Sequence, residues 1–69
     1  MNQLIGNKLK EIRKNKGLSQ EKLARIVVLD RTYISRVEAG KINITIDTLY
    51  VLCKGLNISL TAFFELLNL

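Results

Sequence analysis

An all-α fold of five short helices, forming one compact domain over residues 1–69, is predicted by three observations. Apolar residues recur at three- and four-residue spacing in five separate stretches. Every stretch after the first is preceded by Ser, Asp or Thr, whose side-chain oxygens can accept hydrogen bonds from the free N–H groups of a first helical turn. The chain has no proline and closes several of these stretches with Gly or Asn, residues that tolerate the left-handed conformation in which helices often end. Sixty-nine residues leave room for one small domain, which is marginal unless its core is dense or it associates with a copy of itself.

The first helix is expected from about Gln3 to Lys16, with Leu4, Ile5, Leu9 and Ile12 inward and a run of Lys and Arg outward; Gly17 stops it. Ser19 caps the second, Gln20 to Val27, which buries Leu23, Ala24 and Val27. Asp30 caps the third, Arg31 to Ala39, which Gly40 ends. A polar loop from Lys41 to Asn43 follows, and Thr45 opens the fourth helix, Ile46 to Leu56, with Ile46, Leu49, Tyr50, Leu52, Cys53 and Leu56 as its apolar set. Asn57 is a left-handed cap, and Ser59 opens the fifth helix, Leu60 to Leu67.

Only about three residues, Val27 to Leu29, separate the second and third helices. So short a link forces a steep crossing, the helix-turn-helix geometry. In the third helix, RTYISRVE, Ile34 and Val37 face inward, while Arg31, Thr32, Ser35 and Arg36 lie on the other side. A short helix with that outward face suits the DNA major groove, where Arg pairs bidentately with guanine and Ser or Thr reaches several base edges.

Charge supports the same surface. The net charge is +5, but residues 1–41 carry ten Lys/Arg and four Asp/Glu, or +6, and residues 42–69 carry −1. The N-terminal part is therefore expected to meet a polyanion, and the greasier C-terminal part to form core or an association surface. With no histidine and the single Cys53 on an apolar helical face, no Cys/His zinc site, metal cluster or cofactor is expected. Nothing pairs a nucleophile with a base, which argues against an enzyme. No apolar run approaches a membrane span or resembles a signal peptide, so the expected location is cytoplasmic and away from membranes.

LSQEKLA at 18–24, LDRTYISRVEAGK at 29–41 and LYVLCKGLNISLTAFF at 49–64 resemble the lambda repressor/Cro-like helix-turn-helix DNA-binding family over nearly the whole chain. LDRTYIS followed by a Glu and a Gly is most similar to the controller proteins of restriction–modification systems; phage repressors and antitoxins share much of the pattern. The resemblance implies a five-helix lambda repressor-like domain with base reading by Arg31, Thr32, Ser35 and Arg36, and with Tyr33 at the edge. It places Gln20 on one flanking phosphate and Lys41 and Asn43 on the other. It also implies an ion pair between Arg13 and Glu38 that ties the first helix to the third. A paired Glu38 suits its position near a helix C-terminus, where the dipole disfavours a lone acid. The sequence departs from the family at Val28, where Gly is usual in the turn, and at Asn57, which replaces a commoner Gly. A β-branched residue is unfavourable at position 28 if the turn needs positive φ there.

The final helix has more apolar residues than one face can hold. Leu60, Phe63, Phe64 and Leu67 suit the core. Ala62, Leu66 and Leu69, extended by Ile58, then form a second face, expected to be a homodimer interface. The expected function is a dimeric, sequence-specific regulator of transcription on a roughly palindromic double-stranded DNA operator, of the restriction–modification controller type. Phage-type repressor or antitoxin autoregulator is the alternative within the family. The rival from another class is a protein-interaction module that kept the fold and lost DNA binding.

Overall fold

The computed structural model describes residues 1–68. Five helices run α1 Asn2–Asn15, α2 Gln20–Val27, α3 Arg31–Glu38, α4 Ile46–Gly55 and α5 Leu60–Leu67, with no strand among the described residues. The expected α2 and α5 match end to end, and the other three helices close one residue earlier than expected. α1 packs on α3 and α5, α2 packs on α3 and α4, and α4 packs on α5. Leu9 and Ile12 of α1, Leu23 and Ala24 of α2, Ile34 and Val37 of α3, Leu49, Leu52, Cys53 and the adjoining Leu56 of α4, and Phe63 and Leu67 of α5 make one continuous core. Each large apolar side chain so buried is worth roughly 1.5–3 kcal/mol relative to exposure.

Helices of eight to fourteen residues are too short to persist alone. Their ends are closed in a repeated way. Ser19 Oγ, Asp30 Oδ1, Thr45 Oγ1 and Ser59 Oγ accept from the N–H groups of Lys22, Thr32, Thr48 and Ala62 at 3.0, 2.7, 3.1 and 3.0 Å. At the other end, all five helices finish on a left-handed residue: Gly17, Val28, Gly40, Asn57 and Asn68. At the first four the next residue donates back to a carbonyl five positions earlier: Leu18 to Arg13, Leu29 to Ala24, Lys41 to Arg36 and Ile58 to Cys53, at 2.9–3.1 Å. This satisfies carbonyls that have no partner within the helix. Leu18, Leu29 and Ile58 then turn their side chains onto the core, so the cap also sets the direction in which the chain leaves.

Two close approaches fix the helix frame. A methyl group on Gly6 would run into the Val37 carbonyl oxygen, so α1 lies against the last turn of α3 at backbone range. A methyl on Gly55 would meet Val27 Cγ1, so the bare backbone at the end of α4 seats a side chain from the end of α2.

Four apolar residues expected inward are not buried. Leu4, Ile46, Tyr50 and Phe64 all present exposed surface. α4 carries apolar residues around most of its circumference, and neighbours cover only the face of Leu49, Leu52, Cys53 and Leu56. Ile46 and Tyr50 are left outside.

Val28 adopts φ 57°, ψ 49° and is 86% exposed. The turn therefore does require the left-handed conformation, which costs a residue with a Cβ roughly 1–2 kcal/mol, and Val28 buries too little to offset it. Val28→Gly is expected to stabilise the isolated domain by about 0.5–1 kcal/mol after the extra chain entropy of glycine is counted. That is a rise of a few degrees in Tm for a domain this small. Val28→Asn should gain in the same direction. Thermal melts followed by circular dichroism check this; an unchanged or lower Tm for both variants would mean that the valine methyls stabilise the turn by more than the strain.

Candidate nucleic-acid interface

α3 is polar on one side because its apolar residues are spent on the other. Ile34 and Val37 are buried, and Arg31, Thr32 and Arg36 are exposed. Ser35 is half-buried at the margin, and Tyr33 is half-buried with its side chain packed against the core. Two guanidinium groups and two hydroxyls thus border one short helix, with Tyr33 more anchored than free.

The buried side of α3 ends in an ionic network. Arg13 and Glu38 are only 6% and 5% exposed. Arg13 Nε and Nη2 donate to Glu38 Oε2 and Oε1 at 2.6 and 3.0 Å, a bidentate pair. Its Nη1 donates to the Leu18 carbonyl at 2.7 Å. Glu38 Oε1 also accepts from Gln20 Nε2 at 3.0 Å, a contact that the sequence does not signal, because 18 residues separate the partners. Gln20 is the first residue of α2 and half-buried. Its side chain therefore reaches back to the last residue of α3.

Beyond α3, Lys41 and Asn43 are both exposed. Asn43 Oδ1 accepts from Asn2 Nδ2 at 2.7 Å, which ties the loop to the start of α1 and leaves the Asn43 amide nitrogen available to donate. Gln20 meets the last residue of α3 through Glu38, and the Lys41–Asn43 loop follows that same C-terminal end.

Of the residues expected in a dimer contact, Ile58 and Ala62 are half-buried, Leu66 is 48% exposed, and Leu69 lies outside the described residues. Tyr50, 51% exposed, stands across a shallow depression of about 310 Å³ from Ile58, with Lys54, Asn57 and Ser59 completing its walls. The Tyr50 ring is exposed, although the apolar periodicity of α4 would turn it inward.

Cys53 is fully buried, and burial pushes its thiol up to about 11, so it stays protonated and unreactive at neutral pH. No group of three metal-ligating side chains occurs among the described residues, and no single helix there is long and apolar enough to cross a membrane.

The helix-turn-helix family profile matches residues 9–63. The control protein C.MunI of Mycoplasma sp is 48% identical over 62 residues, covering 88% of this chain and 84% of that protein. The chain belongs to this helix-turn-helix family, with control proteins among its relatives. C.SmaI of Serratia marcescens, another control protein, is 42% identical over 83% of the chain and 68% of its own length. The restriction–modification controller C.Esp1396I, solved as a tetramer on its natural 35 base-pair operator, superposes with a TM-score of 0.91 at 44% identity, covering 96% of this chain and 87% of that one. The five-helix lambda repressor-like fold expected from the sequence is therefore the fold of this family.

Glu38→Ala leaves the Arg13 guanidinium buried without its carboxylate. Breaking a buried pair in this way costs about 3–5 kcal/mol, a large part of the 5–15 kcal/mol that holds a typical domain together. The variant is expected to melt far below the parent or to be unfolded at room temperature. Thermal or urea melts check it; a Tm within a degree or two of the parent would show that the pair adds nothing net.

Proposed function

We propose that this protein is a sequence-specific, double-stranded-DNA-binding transcription regulator that acts as a homodimer, of the restriction–modification controller type. The observation that carries the reading is the face of α3: Arg31, Thr32 and Arg36 outward with Ser35 at the margin, and Ile34, Val37 and Glu38 holding the helix from behind. An α-helix fits the major groove of B-DNA. Within it, Arg31 and Arg36 pair with guanine edges, Thr32 and Ser35 fill in base and phosphate contacts, and Tyr33 touches the margin. Gln20 on one side, with Lys41 and Asn43 on the other, holds the phosphate backbone and sets the docking angle.

The charge distribution supports the same orientation. The +6 of residues 1–41 lies on the segment that includes α1 to α3, and α4 and α5 are nearly neutral. The latter pair is where copies associate, through Ile58, Ala62, Leu66 and Leu69, with Tyr50 bordering the patch. Two recognition helices spaced about 34 Å apart then read half-sites one DNA turn apart. Residues 1–69 act as a single DNA-binding domain with its association surface at the C-terminal end. The reading assigns no catalysis, metal or cofactor, and a cytoplasmic location where the DNA is accessible. C.MunI and C.SmaI are control proteins and C.Esp1396I binds an operator, which favours the controller setting.

Selection of bound duplexes from a random pool should yield one roughly palindromic site. If a dimer touches about six to ten phosphates, affinity for it should fall on the order of 10³–10⁵-fold between 50 and 200 mM salt. Arg31→Ala and Arg36→Ala should each lose about 1–3 kcal/mol of discrimination at particular base positions. Unchanged selected sites in both variants would put the reading face elsewhere. A flat salt dependence would favour a protein-interaction module.

Leu66→Lys sets like charges against each other in a symmetric contact, because the same patch meets itself. The expected product is a folded monomer whose operator binding is much weaker, since the two half-sites are no longer engaged together. Sedimentation reads the outcome. A stable dimer would move the interface away from Leu66.

A further inference from the structure

Glu38 serves two partners. Its Oε2 accepts from Arg13 Nε, and its Oε1 accepts from both Arg13 Nη2 and Gln20 Nε2, each at 3.0 Å. An ionised carboxylate can only accept, so the Gln20 amide must turn its nitrogen toward Glu38. That nitrogen carries two hydrogens. One is committed to Glu38, and the planar amide directs the other about 120° away from it. Gln20 is only half-buried, and it is anchored within one helical turn of Ser35 and Arg36. The geometry points to Glu38 as a positioning residue for the phosphate contact of Gln20, fixing the amide so that a donor is presented outward. This rests on the DNA-binding reading above, in which Gln20 meets the backbone at the edge of the groove.

Two physical consequences favour such a device. A free glutamine has several rotamers and two amide orientations, and one of those orientations would offer an oxygen to a phosphate oxygen. Fixing the side chain beforehand removes both the ordering cost and the wrong orientation from the binding step. A buried ion pair is also a weak source of net stability. Holding Gln20 gives the Arg13–Glu38 pair a purpose beyond joining α1 to α3.

The test is a double-mutant cycle on the duplex recovered from the random pool, at a temperature where circular dichroism shows each protein folded. Gln20→Ala should bind about tenfold more weakly, the loss of one hydrogen bond to a charged group. Glu38→Asp keeps the negative charge for Arg13 but shortens the reach to Gln20, and should bind about threefold to tenfold more weakly. The double variant should bind no more weakly than Gln20→Ala alone, because Glu38 acts through Gln20. Equal losses from Glu38→Asp in both backgrounds, or no loss in either, would overturn the inference. Should Glu38→Asp fail to fold, the unaltered protein still decides it by NMR. One of the two Gln20 side-chain amide protons should shift as duplex is added while the one on Glu38 stays. Two unmoved protons, or a pair averaged by free rotation, would overturn it. Failure of the unaltered protein to bind any duplex would instead remove the DNA-binding reading itself.

Discussion

The Arg13 guanidinium holds three helices in one register. It reaches α3 through Glu38 and the chain between α1 and α2 through the Leu18 carbonyl, and Glu38 extends the network to the first residue of α2. A lysine could not do this. Its ammonium is a single point of charge, whereas the planar fork of Arg presents donors in several fixed directions at once. Burying two charges is costly unless their hydrogen-bonding capacity is used. Among the described residues, no buried side-chain nitrogen or oxygen lacks a partner. The apolar core below gives the domain its cohesion, but this network decides how α3 stands relative to the two helices that flank it.

Much of the architecture was legible because the helix ends are written locally. Ser19, Asp30, Thr45 and Ser59 each cap the helix that they precede, and Gly17, Gly40 and Asn57 each take the left-handed turn. These depend on neighbours one to five residues away. What depends on distant neighbours was not legible. The bond from Gln20 to Glu38 and the backbone contact across Gly6 join residues brought together only by folding. Periodicity also failed in α4, where too many apolar residues encircle a ten-residue helix for spacing to choose the buried face.

The division of labour between the two ends follows from that same excess. α3 uses its few apolar residues for anchoring and has polar groups left over, so its free face is suited to a charged partner. α4 and α5 have apolar groups left over. Tyr50 and Leu66 remain outside because the core is already filled by Leu49, Leu52, Leu56, Phe63 and Leu67. An apolar surplus on a domain this small is an argument for self-association, and it sits apart from the basic segment that would repel its copy.

The missing side chain at Gly6 has a mechanical consequence. Helices separated by side chains can tilt or slide slightly as rotamers adjust. α1 and α3 meet at main-chain distance beside the Val37 carbonyl, and a backbone in van der Waals contact has no such slack. α3 is thus a rigid probe, with its pitch set before it meets anything. When two such probes are joined and laid on one duplex, as the proposed function has it, an error in half-site spacing or phase finds no give within either protomer. It must be absorbed at the junction between the copies or in the bending of the DNA, and the energy of deforming the intervening base pairs then becomes part of what is recognised.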